Sequence, residues 1–283
     1  MTSQIKTVFL LALLTGVLML LGGAMGGRAG LMIAFVLAMV MNLGSYWYSD
    51  KLVLSMYKAR ELSPADAPHV HRVVEELAAN AGVPKPRVFL VPQAQPNAFA
   101  TGRNPENAVV AVTEGIVRML NPDELKGVLA HEIGHIANRD ILIQTIAAVL
   151  GGAIVFLANM LQFTAIFGLG SDDDEGANPL AALAMAILAP MAAMLIQMAI
   201  SRSREYLADE TGARISGEPL SLASALAKLD TASRQVPLKG SPATENMFII
   251  SPFSGRRAAA LFSTHPPIQD RIQRLQRMAR RPY

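Results

Sequence analysis

Five consecutive residues in the middle of the chain, His131-Glu132-Ile133-Gly134-His135, have the types and spacing needed to bind a metal and activate water. Residues four apart lie on one face of a helix, with their Cβ atoms about 5–6 Å apart. Two imidazoles on that face can converge on one zinc ion at about 2.0–2.1 Å. The glutamate between them lies beside the metal, where it can accept a proton from water. The pattern predicts a metalloprotease, with His131 and His135 as ligands and Glu132 as the catalytic base.

The residues around this motif favour a well-capped helix. Asn121 suits the N-cap, Pro122 suits the first helical position, and Glu124 sits where a capping box requires it. We predict a helix that runs to about Asn138, with its apolar residues on one arc and its histidines on another. Gly127, one turn before the first histidine, is expected to keep the metal face open. The alternative is a solvent-facing helix with two surface histidines.

A third ligand must come from elsewhere, because the chain has no cysteine and only five histidines. The candidates are a carboxylate or another histidine, and we favour Glu205. It directly follows a long apolar run, while the HExxH helix leads into another, so a transmembrane hairpin would return both to one membrane surface. Asp209, one helical turn later, can orient a ligating imidazole through its free N–H. From the residues alone, an ordinary charge-paired surface turn explains this pair equally well.

Four charge-free stretches predict membrane-spanning helices: residues 7–27, 29–49, 141–171 and 176–201. Each exceeds the ~18–20 apolar residues that cross a bilayer core. The chain is 52% hydrophobic and 17% charged, which is more apolar and less charged than a typical soluble domain. Two alternatives remain: the first stretch could be a signal peptide, and the last two could be buried core helices.

The charges that flank these stretches predict their orientation. Lysine and arginine lie before the first and third stretches and after the second and fourth, whereas residues 172–175 are all acidic. The positive-inside rule then puts both termini and the soluble portion in the cytoplasm. We predict a predominantly α integral membrane protein with four transmembrane helices and an α+β, zincin-like cytoplasmic metalloprotease domain. Its divisions are an N-terminal transmembrane hairpin (1–50), a first protease segment with the HExxH helix (51–140), a second transmembrane hairpin (141–201) and a second protease segment with the ExxxD helix (202–283).

Within the soluble segments, periodicity and turn residues predict a mixture of helices and short strands. Predicted helices are 64–80, 203–212, 220–229 and 268–281; predicted strands are 87–91, 97–101 and 108–113. A Ser-, Pro-, Thr- and Gly-rich segment, 231–255, is predicted to be a loop. The strand at 97–101 could bind an extended substrate as an added edge strand, with Asn97, Ala98 and Phe99 in contact.

The order of a capped HExxH helix, an apolar hairpin and an ExxxD helix resembles the HtpX heat-shock proteases, relatives of the CAAX prenyl endopeptidases. Four further segments match that family: PNAFATG (96–102), VTEGI (112–116), HIANRD (135–140) and STHPP (263–267). The resemblance covers essentially the whole chain. It implies that Glu205 is the third zinc ligand. It also implies stress-linked quality control of misfolded or damaged membrane proteins in a bacterial cytoplasmic (inner) membrane.

His265 and Arg271 are candidates for the group that stabilises the tetrahedral oxyanion. His265 could instead cap or pack against the C-terminal helix, and the resemblance favours the catalytic interpretation slightly. We expect one Zn²⁺ per chain, unfolded or membrane-protein substrates, and contact with the lipid bilayer. No basic–aromatic pattern indicates a nucleic-acid partner, and nothing in the sequence indicates an oligomeric state.

Two other functions fit the same motifs. Processing of lipidated C-termini is the nearest enzymatic alternative, although four spans enclose little volume for a lipid chain. A non-enzymatic membrane scaffold with a structural metal is the second, although structural zinc sites usually have four protein ligands. General proteolysis remains the favoured interpretation.

Overall fold

The structure is a computed structural model that describes residues 3–149, 202–235, 249 and 266–280. Within these residues helices predominate, and four short strands form one sheet. The helices are α1 (Ser3–Met56), α2 (Pro68–Ala81), α3 (Glu114–Met119), α4 (Pro122–Ala137), α5 (141–149), α6 (Arg202–Ser216), α7 (Pro219–Gln235) and α8 (Ile268–Ala279). The strands are β1 (Arg60–Glu61), β2 (Arg87–Val91), β3 (Ala98–Thr101) and β4 (Val109–Thr113).

Helix α1 folds back on itself as a hairpin. Its two halves meet at Gly27, whose φ of 55° and ψ of −136° interrupt the helix and favour glycine. The halves run antiparallel, because Asn42 Nδ2 donates to Thr15 Oγ1 at 2.9 Å and a Cβ on Gly30 would clash with the opposite backbone. Gly26–Met56 is the one helix among the described residues long and apolar enough to cross a membrane. The third and fourth predicted spans lie outside the described residues, apart from 141–149.

The sheet has the strand order β1-β2-β4-β3, with β2 and β4 parallel and the other pairs antiparallel. The predicted strand at 87–91 is confirmed, and those at 97–101 and 108–113 each begin one residue later than predicted. A 3₁₀ turn at Pro105–Asn107 joins β3 to β4. Because β3 pairs only with β4 in the described structure, it forms one edge of the sheet.

The two faces of the sheet contact different parts of the chain. One face packs against α2, α4 and the C-terminal helices in the main apolar core. The other face packs against the end of α1 and the end of α5, through Val53, Leu54, Phe89, Val91, Phe99, Val109, Ala111 and Ala148. The sheet therefore lies between the peptidase helices and the apolar hairpin.

The predicted loop at 231–255 is wrong at its beginning, because α7 continues through Gln235. Serine and threonine are poor residues for a helix interior because their hydroxyls compete for backbone hydrogen bonds. Here Thr231 Oγ1 donates to the carbonyl of Ala227 at 3.0 Å within the same helix, so the helix tolerates it. Most of the remaining segment, residues 236–248 and 250–255, lies outside the described residues.

Candidate metal centre and active site

Three buried side chains, two from α4 and one from α6, have potential metal-ligand atoms close to one another. His131 Nε2 lies 3.1 Å from His135 Nε2, and the Glu205 oxygens lie 3.6 Å from the former and 3.5 Å from the latter. Tetrahedral zinc with bonds of ~2.0–2.1 Å separates neighbouring ligand atoms by about 3.3 Å. The three donors therefore fit one face of a tetrahedron, and this is the one such cluster found within the described residues.

Helix α4 is held at its first turn by the predicted capping box, which is confirmed. Asn121 Oδ1 accepts the backbone N–H of Glu124 at 2.8 Å, and the Glu124 carboxylate accepts the N–H of Asn121 at 3.0 Å. The same carboxylate accepts from Ser224 Oγ at 2.7 Å and Lys228 Nζ at 2.8 Å on α7. Burial acts to raise the pKa of Glu124, but these contacts outweigh it and lower the pKa. The cap therefore also fixes α4 against α7.

Close crossing of α4 and α6 brings the third donor to the histidines. A Cβ on Gly134 would lie 2.9 Å from the carbonyl oxygen of Ala208, and one on Gly212 would lie 2.9 Å from the backbone nitrogen of His131. Any larger residue at these positions would push the two backbones apart. Two glycines thus permit the helix separation at which Glu205 reaches the metal site.

Gly127 has a similar role on a different face, and the prediction that it keeps the metal face open is wrong. A Cβ at this position would lie 2.6 Å from the backbone nitrogen of Leu222 in α7. The physical reason is helix–helix contact: the position has no room because another backbone occupies it. Helix α4 is buried on nearly all sides, so it is not a solvent-facing helix.

A carboxylate contacts the outer ring nitrogen of each histidine. His131 Nδ1 lies 2.9 Å from Asp209 Oδ1, and His135 Nδ1 lies 3.0 and 3.1 Å from the two oxygens of Asp140. An imidazole that donates its Nδ1–H to a carboxylate leaves its Nε2 lone pair for a metal. Both Nε2 atoms face the position beside Glu205 that one metal ion could occupy.

The fully buried Arg271 guanidinium from α8 contacts Asp209 and Glu205. Nε and Nη2 donate to Asp209 at 2.9 and 2.7 Å, and Nη1 donates to the carbonyl of Ile249 at 2.9 Å. Nη1 also lies 3.6 Å from Glu205. Burial acts to raise the pKa of Asp209, but the arginine outweighs it and lowers the pKa. Nη2 lies 3.4 and 3.5 Å from Nδ1 and Nε2 of His131. Arg271 therefore packs against the His131–Asp209 pair and holds Asp209 ionised.

The electrostatics of the catalytic helix follow from burial and these carboxylates. Burial acts to lower the pKa of His135, but Asp140, Glu205 and Glu132 outweigh it and raise this pKa to about 10. The pKa of His131 is raised in the same way, since Asp209 and Glu205 outweigh burial. Burial also raises the pKa of Glu132, against the opposing effect of both histidines. A carboxyl group with a raised pKa is better matched to proton transfer near neutral pH.

Strand β3 passes beside Glu132. The backbone N–H of Ala100 acts to lower the pKa of the Glu132 carboxyl, against the larger effect of burial. Further along the strand, Thr101 Oγ1 lies 3.1 Å from Thr145 Oγ1 of α5. The edge strand, the catalytic helix and the beginning of α5 therefore meet at one place.

The three predicted substrate-binding residues lie at the beginning of this strand. Asn97 is 3% exposed, and its side-chain oxygen accepts the backbone N–H of Ile249 at 3.1 Å. Ala98 is fully buried, and Phe99 packs its ring 5.2 Å from that of Tyr57 on the α1 side of the sheet. All three residues are buried in the described structure, and their predicted contact with substrate stays a prediction.

Asp140 was not identified from the sequence, although it contacts His135 as Asp209 contacts His131. The HIANRD segment that contains it was the available signal. His265 lies outside the described residues, and its predicted role stays a prediction.

Two histidines and a glutamate on one capped helix, together with a carboxylate from a second helix, define a metallopeptidase centre suited to a divalent metal ion. The sequence matches Peptidase family M48 over residues 64–279. It is 60% identical over 282 residues to a protease HtpX homologue from Syntrophobacter fumaroxidans, covering 98% of this chain and 100% of that one. It is 59% identical over 276 residues to a protease HtpX homologue from Pyrococcus furiosus, covering 97% and 96%. This chain therefore belongs to peptidase family M48, and the resemblance and peptidase activity predicted from its motifs are confirmed.

Among solved structures, the fold is similar to that of S. mikatae Ste24p, with a TM-score of 0.54 and 19% sequence identity. The alignment covers 96% of this chain and 65% of Ste24p. This likeness concerns the fold.

Proposed function

We propose that this protein is a zinc endopeptidase of a bacterial cytoplasmic membrane that hydrolyses misfolded or damaged membrane proteins, in a stress-linked quality-control role. The observation that carries this proposal is the cluster of His131, His135 and Glu205, with donor separations of 3.1–3.6 Å, beside the buried Glu132. Two nitrogens and one carboxylate as protein ligands leave a fourth position open, as catalytic zinc sites require.

One Zn²⁺ per chain would be held by His131, His135 and Glu205. When bound, it would polarise the scissile carbonyl and lower the pKa of a water molecule. The chain lacks cysteine, so nitrogen and oxygen donors are the set available. Asp140 and Asp209 orient the two imidazoles through Nδ1, which keeps each Nε2 free to bind the metal.

Glu132 is the general base in this mechanism. Its carboxylate removes the proton from the attacking water and then transfers it to the nitrogen of the leaving amine. Burial supports this role by raising the Glu132 pKa, so that the proton is held more readily between the two steps.

The contacts of Arg271 support a positioning role for this residue. Three of its hydrogen bonds go to Asp209 and the Ile249 carbonyl, and Asp209 in turn orients His131. Its predicted direct action on the oxyanion stays a prediction, as does that of His265.

Substrate binding by strand addition is supported by the position of β3 at the sheet edge. Pairing of an extended chain with the backbone around Asn97, Ala98 and Phe99 would require these buried residues to become accessible first. Most folded proteins cover or blunt their strand edges, so an unfolded or misfolded chain presents such a strand more readily. This site therefore favours unfolded or misfolded substrates.

The proposed location is a multi-pass one, with the lipid bilayer as a partner and no nucleic acid. The α1 hairpin and the apolar stretches at 141–171 and 176–201 would supply four spans. Lysine and arginine at the ends of these stretches support cytoplasmic termini and a cytoplasmic peptidase domain formed by 51–140 and 202–283.

The test is a proteolysis assay of the full chain purified in detergent, with an unfolded soluble protein as substrate. Chelation should abolish cleavage, and zinc should restore it more fully than magnesium or calcium, which prefer all-oxygen sites. Glu132→Gln is the matched control, because it should bind zinc and remain inactive. Cleavage that survives both chelation and this substitution would overturn the proposal.

A further inference from the structure

Gln144 is a buried polar residue at the start of an apolar stretch. Residues 141–171 carry no charge, and α5 begins at residue 141. Gln144 lies in the first turn of that helix and is 5% exposed. Burying an amide is costly unless hydrogen bonds satisfy it. The position of Gln144 therefore requires polar partners within the protein.

One contact of Gln144 is with a proposed metal ligand. Gln144 Nε2 lies 3.2 Å from Nδ1 of His135, the nitrogen that the Asp140 oxygens contact at 3.0 and 3.1 Å. The backbone N–H of Gln144 also donates to the carbonyl of Asp140 at 3.3 Å, and residues four apart lie on one helical face. Asp140 and Gln144 therefore approach the same ring nitrogen from one helical turn.

A count of hydrogens decides which atom of the Gln144 amide suits this position. A neutral imidazole has one N–H and one lone pair, so a His135 ring that binds a metal through Nε2 carries its hydrogen on Nδ1. An amide N–H aimed at Nδ1 would then oppose two donors, whereas the amide oxygen would accept the hydrogen. A half-turn of the amide exchanges its oxygen and nitrogen with almost no change in shape. The metal-binding ring therefore requires the amide oxygen at Nδ1.

The opposite orientation of the amide has the opposite effect. If the Gln144 nitrogen donates to Nδ1 of His135, the ring hydrogen must lie on Nε2. That nitrogen then has no lone pair for a metal ion. The orientation of one amide and the ability of His135 to bind metal are therefore linked.

We propose that Gln144 is a positioning residue of the metal site, whose amide oxygen shares the Nδ1 hydrogen of His135 with Asp140. This sharing holds the ring in the tautomer whose Nε2 lone pair faces the position beside Glu205. The first turn of α5 thus contributes two groups that orient one metal ligand.

This inference rests on the metal site of the proposed function, and its test separates the two. Full-length protein in detergent is titrated with Zn²⁺ against a competing chelator, and its thermal unfolding is measured in parallel. Gln144→Met removes the amide and keeps much of the volume, whereas Gln144→Glu keeps an oxygen acceptor. Thr145→Val is the matched control, because Thr145 is a buried neighbour on α5 whose hydroxyl lies 3.1 Å from that of Thr101 in β3.

We expect Gln144→Met to lower zinc affinity about 10–100-fold, as does loss of other contacts that orient a ligating histidine. Gln144→Glu should keep most of the affinity. Thr145→Val should keep the full affinity even if its Tm falls as far as that of Gln144→Met. The loss caused by Gln144→Met should be larger when Asp140→Asn is also present, because the two residues share one hydrogen.

Unchanged zinc affinity in Gln144→Met would overturn this inference and leave the metal site intact. Equal losses in Gln144→Met and Gln144→Glu would also overturn it, because they would assign the contact to an amide N–H. Strictly additive losses with Asp140→Asn would refute the sharing of one hydrogen. If Gln144→Met does not fold, Gln144→Asn withdraws the amide by one methylene, keeps its polarity and should lose affinity in the same way. Wild-type protein that binds no Zn²⁺ would overturn the proposed function and this inference with it.

Discussion

Replacing Arg271 with methionine tests whether this guanidinium acts on the substrate or positions the metal ligands. The side chain is fully buried, and it holds both oxygens of Asp209 at 2.9 and 2.7 Å. Asp209 in turn lies 2.9 Å from Nδ1 of His131. Methionine fills much of the same space without a charge, so the substitution leaves Asp209 buried without its counter-ion.

The expected magnitudes follow from that loss. Removing one partner of a buried ion pair destabilises a protein by about 3–5 kcal/mol. Each kcal/mol lowers the Tm of a domain of about 150–250 residues by about 2–4 °C, so the Tm should fall by about 6–20 °C. Loss of the contact that orients a ligating histidine lowers metal affinity about 10–100-fold. Turnover lost at limiting zinc should therefore be largely recovered at saturating zinc.

Three measurements on protein in detergent test this reasoning: thermal unfolding, zinc titration against a competing chelator, and turnover at limiting and saturating zinc. Arg271→Lys should be intermediate, because it keeps the charge but not the two-pronged geometry. Arg274→Met is the matched control, since Arg274 lies on the same helix, is exposed and contacts the Tyr206 ring at 3.7 Å. An Arg271→Met variant with normal Tm and zinc affinity, but turnover reduced about 10²–10³-fold, would refute the positioning role. That result is the one expected for loss of an oxyanion donor.

Four further outcomes are expected. Glu132→Gln should retain zinc and lose hydrolysis, because Glu132 is the base and not a ligand; normal turnover in equilibrium-dialysed protein would contradict the mechanism. Asp140→Asn should lower zinc affinity about 10–100-fold, because it weakens the contact that orients His135; unchanged affinity in a chelator titration would refute that role. Gly212→Val should destabilise the protein by about 1–3 kcal/mol through overpacking and weaken zinc binding as well, because α4 and α6 must separate; thermal unfolding and the same titration check both effects. Finally, the pKa of His135 is raised from 6.5 to about 10 in the metal-free protein, so its stabilising contribution is complete below pH 6.5 and is lost as the pH rises toward 10. Zinc must displace such protons, so the Tm difference between zinc-loaded and metal-free protein should widen with increasing pH, and a constant difference would contradict this reasoning.

Local sequence signals were sufficient to predict the catalytic helix and three of the four described strands, but not β1 or the order of the strands in the sheet. The hydrogen bonds between Asn121 and Glu124 depend on residues within one helical turn, so the capping box could be predicted from spacing alone. The same holds for β2, whose bounds match the predicted strand, because proline and alternating apolar residues define it locally. The α1 hairpin followed from two apolar runs with a single arginine and glycines between them.

The role of Asp140 does not follow from any such local rule. A residue five positions after His135 on a continuous helix would point about 140° away from it. Instead, Arg139 adopts a φ of 55°, which ends the helix and returns Asp140 to within 3.0 Å of Nδ1. A positive φ is uncommon for a residue other than glycine, so helical periodicity gives no indication of this turn.

The partners of Arg271 are equally invisible in the sequence, because they come from α6 and from Ile249, which are distant along the chain. Periodicity predicts the amphipathic helix that carries Arg271, but not which buried group its guanidinium meets. Without that contact, oxyanion stabilisation and ligand positioning could not be distinguished. The distinction requires the tertiary arrangement of α6 and α8.

Backbone packing, and not side-chain reach, determines the geometry of the metal site. The donors come from α4 and α6, and α8 anchors one of the orienting carboxylates, so the site does not exist before these helices dock. The free energy of metal binding is then part of the free energy of folding. The separation of α4 and α6 is limited by Gly134 and Gly212, where a Cβ would already meet the opposite backbone. Residues with no chemistry of their own therefore decide whether Glu205 lies 3.5 Å from His135 or beyond the reach of a shared ion.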